Sequence, residues 1–262
     1  MIEEQIIRNV KIFGNGAHVF VPKEWVGEQV VLVRPKRSLK GRILEVLEPY
    51  LESIIGVYLY GSYARKEQTQ DSDIDLLIIT NEKVKIRERG FEIISLEQKE
   101  IEKAIKLEPL LMYSIFLEAK PIINSKLIGE FKERYKPKLT DFKDFLKDCE
   151  RIININKDFL ELETGKYTLN EAVIYSLILR LRGLFILKFL IDRKIYSNKD
   201  FKKWIIKNLP EIDFNSIYKA YRFSKIDKKF IQKIKVSDVK LLLEFFRKEL
   251  HILQDGKKRK KA

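Results

Sequence analysis

Apolar positions recur along the chain with three rhythms. Up to about residue 36 they come in short runs: Ile6-Ile7-Arg8-Asn9-Val10-Lys11-Ile12, Ala17-His18-Val19-Phe20-Val21 and Gln29-Val30-Val31-Leu32-Val33. Gly14-Asn15-Gly16 separates the first two, and Asn-Gly tolerates the positive φ of a tight turn, so a β-hairpin is predicted there. Pro22 opens a short helical turn through Trp25, Gly27 precedes the third run, and Pro35 stops it. A unit of about 35 residues buries too little surface to stand alone, so it is expected to dimerise or dock.

From about residue 38 to 136, helical and strand spacings alternate. Ile43, Leu44, Val46 and Leu47 predict an amphipathic helix over 39–47 that Pro49 ends. Strands are predicted over 54–60, 73–80 and 91–96. A short helix opens at Gly61-Ser62, and another carries Ile101, Ala104 and Ile105. Such alternation indicates an α/β core. From about 139 to 256 the spacing is helical throughout, with Phe142, Phe145, Leu146, Cys149, Ile152 and Ile153 on one buried face. Thr168-Leu169-Asn170-Glu171 reads as a capping box that opens a long helix toward Asp192. Further helices are predicted over 200–208, 214–222 and 237–256. The tail Lys257-Lys258-Arg259-Lys260-Lys261 is expected to be disordered, because like charges repel. The expected architecture is a multidomain α+β / α/β protein: a β unit over 1–37, a core over 38–136, an all-α bundle over 137–256 and a basic tail over 257–262.

Composition narrows the classes. Hydrophobic residues make up 45% and charged residues 34%, enough for a real core. The single cysteine, Cys149, excludes an intrachain disulfide and a thiolate zinc site, and His18 and His251 leave little for a histidine metal site. Abundant Lys, Glu and Ile with little Cys and Met hints at a heat-adapted source. The net charge of +14 attracts polyanions such as nucleic acid, nucleotides or an acidic membrane surface. Met1-Ile2-Glu3-Glu4 is no signal peptide. The most apolar stretch, 172–191, is interrupted by Arg180, Arg182 and Lys188, so it reads as a buried helix and not a membrane span. A soluble, cytoplasmic protein is expected.

The chemistry concentrates in Gly61-Ser62-Tyr63-Ala64-Arg65 and Ser72-Asp73-Ile74-Asp75-Leu76. On a strand, Asp73 and Asp75 share one face, while Ile74, Leu76 and Ile78 face the core. Paired carboxylates repel unless a cation lies between them, and hard oxygens at this spacing suit Mg²⁺ together with substrate phosphates. Gly61 lets a phosphate approach the backbone, Ser62 adds a hydroxyl, and Arg65 and Lys66 add charge. Nucleotidyl or phosphoryl transfer usually employs two metal ions, so a third carboxylate is sought. Glu92, between Phe91 and Ile93, is the candidate; Glu118, in helical context, is the alternative.

These two segments resemble the signature of the DNA polymerase β-type nucleotidyltransferase superfamily, in particular its minimal and antibiotic-modifying members, over about 38–124. The resemblance implies Mg²⁺-dependent transfer of a nucleoside monophosphate, usually AMP from ATP. It implies that Gly61, Ser62, Arg65 and Ser72 bind the nucleotide and that Asp73, Asp75 and Glu92 hold two Mg²⁺ ions and serve catalysis. Tyr63 stands where arginine is common in that family, and Lys66 where glycine is common. The first 37 residues resemble an AbrB-type swapped-hairpin DNA-binding domain. That likeness implies a homodimer, with Arg8, Lys11, Lys23 and Arg34 offered to DNA; a purely dimerising arm is the alternative. The carboxy-terminal helices are similar to HEPN-type bundles. The spacing of Arg247 and His251 is shorter than that of HEPN ribonucleases, so no RNase activity is expected. The rival reading of the whole chain is a DNA-binding regulator or antitoxin-like protein whose core senses nucleotide or is inactive.

Overall fold

The computed structural model describes residues 6, 8, 10–32, 38–70, 72–168, 170–225 and 233–259. The chain divides into two compact units, Met1–Ile43 and Leu44–Ala262.

In the first unit, β1 (Lys11–Phe13) and β2 (Gly16–His18) pair antiparallel, with Lys11 opposite His18 and Phe13 opposite Gly16. Gly14 takes a φ of 53° at the turn, the left-handed conformation that favours glycine. Pro22 precedes the 3₁₀ turn Lys23–Trp25. The third strand, expected over 29–33, does not form over 29–32, and Val33 lies outside the described residues. An extended segment gains ladder hydrogen bonds only from a partner strand, and among the described residues this hairpin pairs only with itself. None of the described residues in 6–32 is buried, and Ile12 and Val31 are 89% and 87% exposed.

Helix α1 (Leu39–Leu47) begins where Ser38 Oγ accepts the Gly41 N–H at 3.0 Å. It buries Ile43 and Leu47, one turn apart, and a 3₁₀ turn with Pro49 in its first turn ends it. The second unit is built on a four-stranded sheet of β3 (Ile54–Leu59), β4 (Ile74–Thr80), β5 (Phe91–Glu97) and β6 (Lys120–Ile123) in the order β5-β4-β3-β6. β3 runs antiparallel to β4 and β6, and β4 runs parallel to β5. Between the strands lie α2 (Gly61–Arg65), α3 (Ile101–Leu107) and α4 (Pro109–Glu118). Both faces of β4 are buried below Asp75: Leu76, Leu77, Ile78 and Ile79 are all fully covered.

The remaining helices are α5 (Ser125–Arg134), α6 (Lys143–Glu161), α7 (Glu171–Ile191), α8 (Asn198–Asn208), α9 (Phe214–Lys225) and α10 (Val236–Arg259). One apolar core runs without a break from Leu77 and Ile79 of β4, through Met112 and Phe116 of α4, to Leu177, Leu181 and Leu184 of α7. No helix among the described residues is long and apolar enough to cross a membrane.

Three expectations need correction in the helical region. A short ladder, β7 (Tyr167–Thr168) with β8 (Ile234–Lys235), interrupts what reads as uniformly helical. The capping box is absent: Thr168 belongs to β7, where its hydroxyl donates to Glu163 and accepts the Asn170 N–H. The cap of α7 is Asn170, whose Oδ1 accepts the Val173 N–H at 3.2 Å. Finally, α10 passes through Gly256 to Arg259. One glycine costs a helix only about 1 kcal/mol.

Candidate active site

Strand parity sorts the sheet residues. Asp75 lies opposite Glu92 in the parallel β4–β5 pair, Leu77 opposite Ile94, and Ile79 opposite Leu96. Paired residues share a face, so Asp75 and Glu92 stand side by side at the end of the face whose deeper residues enter the main core. The other face carries Leu76 opposite Leu59 and Ile78 opposite Val57. Tyr60, just beyond β3, donates its N–H to the Asp75 carbonyl at 3.0 Å. Asp73 precedes β4 by one residue and is exposed; Ile74 is buried, Asp75 half-buried and Leu76 buried. The alternation read from the sequence is therefore present, with Asp73 at the mouth and Asp75 inside.

The turn from β3 into α2 closes over this pair. Gly61 has a φ of 67°, and a Cβ there would lie 2.6 Å from the carboxyl carbon of Asp75. Only glycine meets both conditions. The Ser62 N–H donates to the Asp75 carboxylate. Lys66, at the position where the superfamily that the sequence resembles commonly has glycine, takes the left-handed conformation itself (φ 60°, ψ 36°) at the end of α2. The loop keeps the backbone shape glycine would give, at a cost of about 1 kcal/mol for a residue with a Cβ.

Behind the turn lies a belt of charged and polar groups. Glu118, at the end of α4, accepts the Gly61 N–H at 3.0 Å through Oε1 and binds Arg65 Nη1 through Oε2. Arg65 also donates from Nε to Glu67 at 3.1 Å, and its guanidinium lies 4.7 Å from the centre of the Tyr196 ring. Glu67 in turn accepts the backbone and side-chain amides of Asn198. Arg182 of α7 completes the belt, donating to Asn198 Oδ1 at 3.1 Å and to the Tyr196 hydroxyl at 3.0 Å. The motif segment is thereby tied to the start of α8.

Electrostatics follow from this layout. Burial, and then the neighbouring Glu92 charge, push the Asp75 carboxyl up from 3.8 to about 6, while the Ser62 N–H and Arg65 oppose them. Burial also raises Glu118, against the pull of Arg65 and the Gly61 N–H. The Tyr60 phenol is held well above its usual range by burial and by Asp75, Glu92 and Glu118. Among the described residues, no three acidic, histidine or cysteine side chains close into a metal cage. Mg²⁺ needs none: it binds through one or two carboxylates plus substrate phosphates. The hard oxygens of Asp75 and Glu92, in register and mutually repelled, fit such an ion, with Asp73 one residue before the strand.

Gly61, Ser62, Asp75 and Glu92 are thus gathered in one place, with Asp73 at its mouth. Ser72 Oγ accepts the Thr69 N–H at 2.9 Å, which ties the loop ahead of β4. Arg65, expected as a phosphate ligand, is enclosed between Glu118, Glu67 and Tyr196. Arg8, Lys11 and Lys23 are exposed in the first unit, and Arg34 lies outside the described residues. Sequence reasoning missed the enclosure of Arg65 by Glu118, Glu67 and Tyr196, and the link from Glu67 through Asn198 to Arg182. The available signals were a glutamate inside the apolar run Ser114-Ile115-Phe116-Leu117-Glu118-Ala119 and an arginine inside the apolar helix α7.

Comparison with known families finds matches up to residue 164. Residues 1–33 match the model described as "Putative transposon-encoded protein (DUF2080)". None of the curated proteins matches the chain. The AbrB and HEPN likenesses have no counterpart among the family matches. Residues 41–164, which hold every residue of the Asp75–Gly61 site, match the model described as "Nucleotidyltransferase domain", and this supports nucleotidyl transfer as the function of that part of the chain.

Proposed function

We propose that the protein is a Mg²⁺-dependent nucleotidyltransferase that moves AMP from ATP to a hydroxyl of a separate acceptor. The observation that carries this reading is the register of Asp75 with Glu92 beneath the Gly61 turn. Gly61 and Ser62 receive the triphosphate with backbone N–H groups. Because Glu118 and Asp75 now accept those N–H groups, nucleotide binding exchanges carboxylate for phosphate oxygens. Held by Asp73, Asp75 and Glu92, Mg²⁺ supplies charge neutralisation for the phosphates and a more acidic acceptor hydroxyl. The acceptor oxygen forms a bond to the α-phosphorus, the bond to the β-phosphate oxygen breaks, and pyrophosphate leaves. Glu92, open to solvent, takes the acceptor's proton.

The first unit, with no buried residue among those described in 6–32, is read as an arm completed by a second copy of the chain. The reading as a DNA-binding regulator draws on the exposed Arg8, Lys11 and Lys23 of that arm. Incubation with α-labelled ATP, Mg²⁺ and cell extract separates the two. The enzyme labels an acceptor, and Asp73→Asn does not while folding normally. Equal labelling by the variant, or none by the wild type, rejects the enzymatic reading.

A further inference from the structure

Several partly buried cations in this protein face a carboxylate. Arg65 faces Glu118 and Glu67, Arg180 faces Asp148, and Lys188 faces Glu249. Two half-buried cations, Arg182 on α7 and Lys202 on α8, do not, and the exposed Arg222 on α9 lies beside them. Among the described residues the hydrogen bonds of Arg182 go to neutral groups, Asn198 Oδ1 and the Tyr196 hydroxyl, with its guanidinium 5.5 Å from the centre of the Tyr196 ring, and Glu118 reaches it through its field alone. Lys202 lies one helical turn after Asn198, and its ammonium sits 4.2 Å from the centre of the Tyr218 ring. Arg222 lies one turn after Tyr218 and is exposed. Among the described residues, none of the three forms an ion pair with a carboxylate. Glu67, which binds Asn198, is already committed to Arg65 and to the Asn198 amides.

The three cations form a graded row. Arg182 touches the belt behind the Gly61 turn, Lys202 is half-buried, and Arg222 reaches solvent. Gathered like charges repel, and an anion relieves the repulsion; the Lys202 ammonium is already pushed down by burial and by Arg222. Guanidinium forks and an ammonium together match phosphate oxygens. A row leading outward from the belt behind the Gly61 turn suits successive phosphates along a strand better than one compact triphosphate, which must also reach Gly61. A cationic small molecule would be repelled.

We propose that Arg182, Lys202 and Arg222 form a phosphate-binding track for the acceptor, and that the acceptor is a single-stranded nucleic acid. The word acceptor rests on the nucleotidyl-transfer reading; the track itself does not.

The test uses the full chain without divalent metal, so it stands even where no transfer is ever detected. A fluorescent single-stranded oligoribonucleotide is titrated at several salt concentrations against wild type, Lys202→Gln/Arg222→Gln and Lys199→Gln/Lys203→Gln. The last pair removes the same charge from exposed positions of α8. Arg182 stays in place because it also holds Asn198 and Tyr196. The track variant is expected to bind about tenfold more weakly, and its salt slope to shrink by about 1.4, two contacts at about 0.7 each. The control is expected to stay within about twofold, because surface lysines off the track only add diffuse charge. Affinity for ATP, titrated in parallel, is expected to be unchanged in both. Equal losses in the two variants, or no loss in either, overturn the proposal. So does a loss confined to ATP, which would assign the cations to the nucleotide instead.

Discussion

Asp75→Asn separates the stability of the site from its chemistry. The Asp75 carboxyl is raised from 3.8 to about 6 by burial and by Glu92, so the fold disfavours its charged form. A rise of that size corresponds to roughly 3 kcal/mol at 1.36 kcal/mol per pKa unit, and solvent around a half-buried carboxylate reduces it to about 1–2 kcal/mol. The sign is fixed by linkage. Below the unfolded value both states hold the proton and there is no penalty. As pH rises from about 4 to about 6 the unfolded chain ionises first, so wild type loses stability relative to the variant, and the full penalty remains above about pH 6. Asparagine keeps an oxygen for the Ser62 N–H and offers Glu92 a donor. The metal-free variant is therefore expected to melt about 2–8 °C above wild type at pH 7, at about 2–4 °C per kcal/mol, and to converge with it near pH 4. Differential scanning fluorimetry across that range measures the gap. With Mg²⁺ and nucleotide, wild type gains stability by binding while the variant does not. A variant less stable than wild type at pH 7, or a gap that ignores pH, would refute the reasoning.

Two further outcomes test the surroundings. Glu118→Gln preserves an acceptor for the Gly61 N–H but leaves Arg65 with Glu67 as its one carboxylate partner. A loss of about 3 kcal/mol is expected, read as a lower urea midpoint at unchanged m-value. The two left-handed positions of the turn should respond oppositely to substitution. Gly61→Ala forces a Cβ against Asp75 and is expected to abolish transfer and cost about 2 kcal/mol, whereas Lys66→Gly relieves a strained φ and is expected to stabilise by about 1 kcal/mol in the same denaturation assay.

The legible parts of the fold are those governed by local spacing. Helix α1, the strand carrying Asp75, the Gly61 opening of α2 and the Glu92 strand all follow from apolar rhythm and from glycine or proline punctuation. The pairing of Asp75 with Glu92 was suggested by the flanking apolar residues, but its parallel register is a tertiary fact. The fate of Arg65 was illegible, because its partners lie on α4 and around residue 196, and no spacing relates them. The missing third strand at 29–32 has the same origin: apolar alternation states that a segment can pair, not with what. The capping box failed because Thr168 found a ladder partner in β8.

The hydrogen bond between Glu67 and Asn198 spans 131 positions of sequence. During synthesis at about 5–20 residues per second, the Gly61 segment leaves the ribosome several seconds before its anchor exists. A nascent chain that has made only the strands therefore carries Arg65 and Glu67 without Asn198, Tyr196 or Arg182. The same holds for a fragment cut at residue 164, where the family match stops. The segment with the most recognisable letters is thus among the last to be finished, and excising it alone would isolate the letters without the structure that holds them.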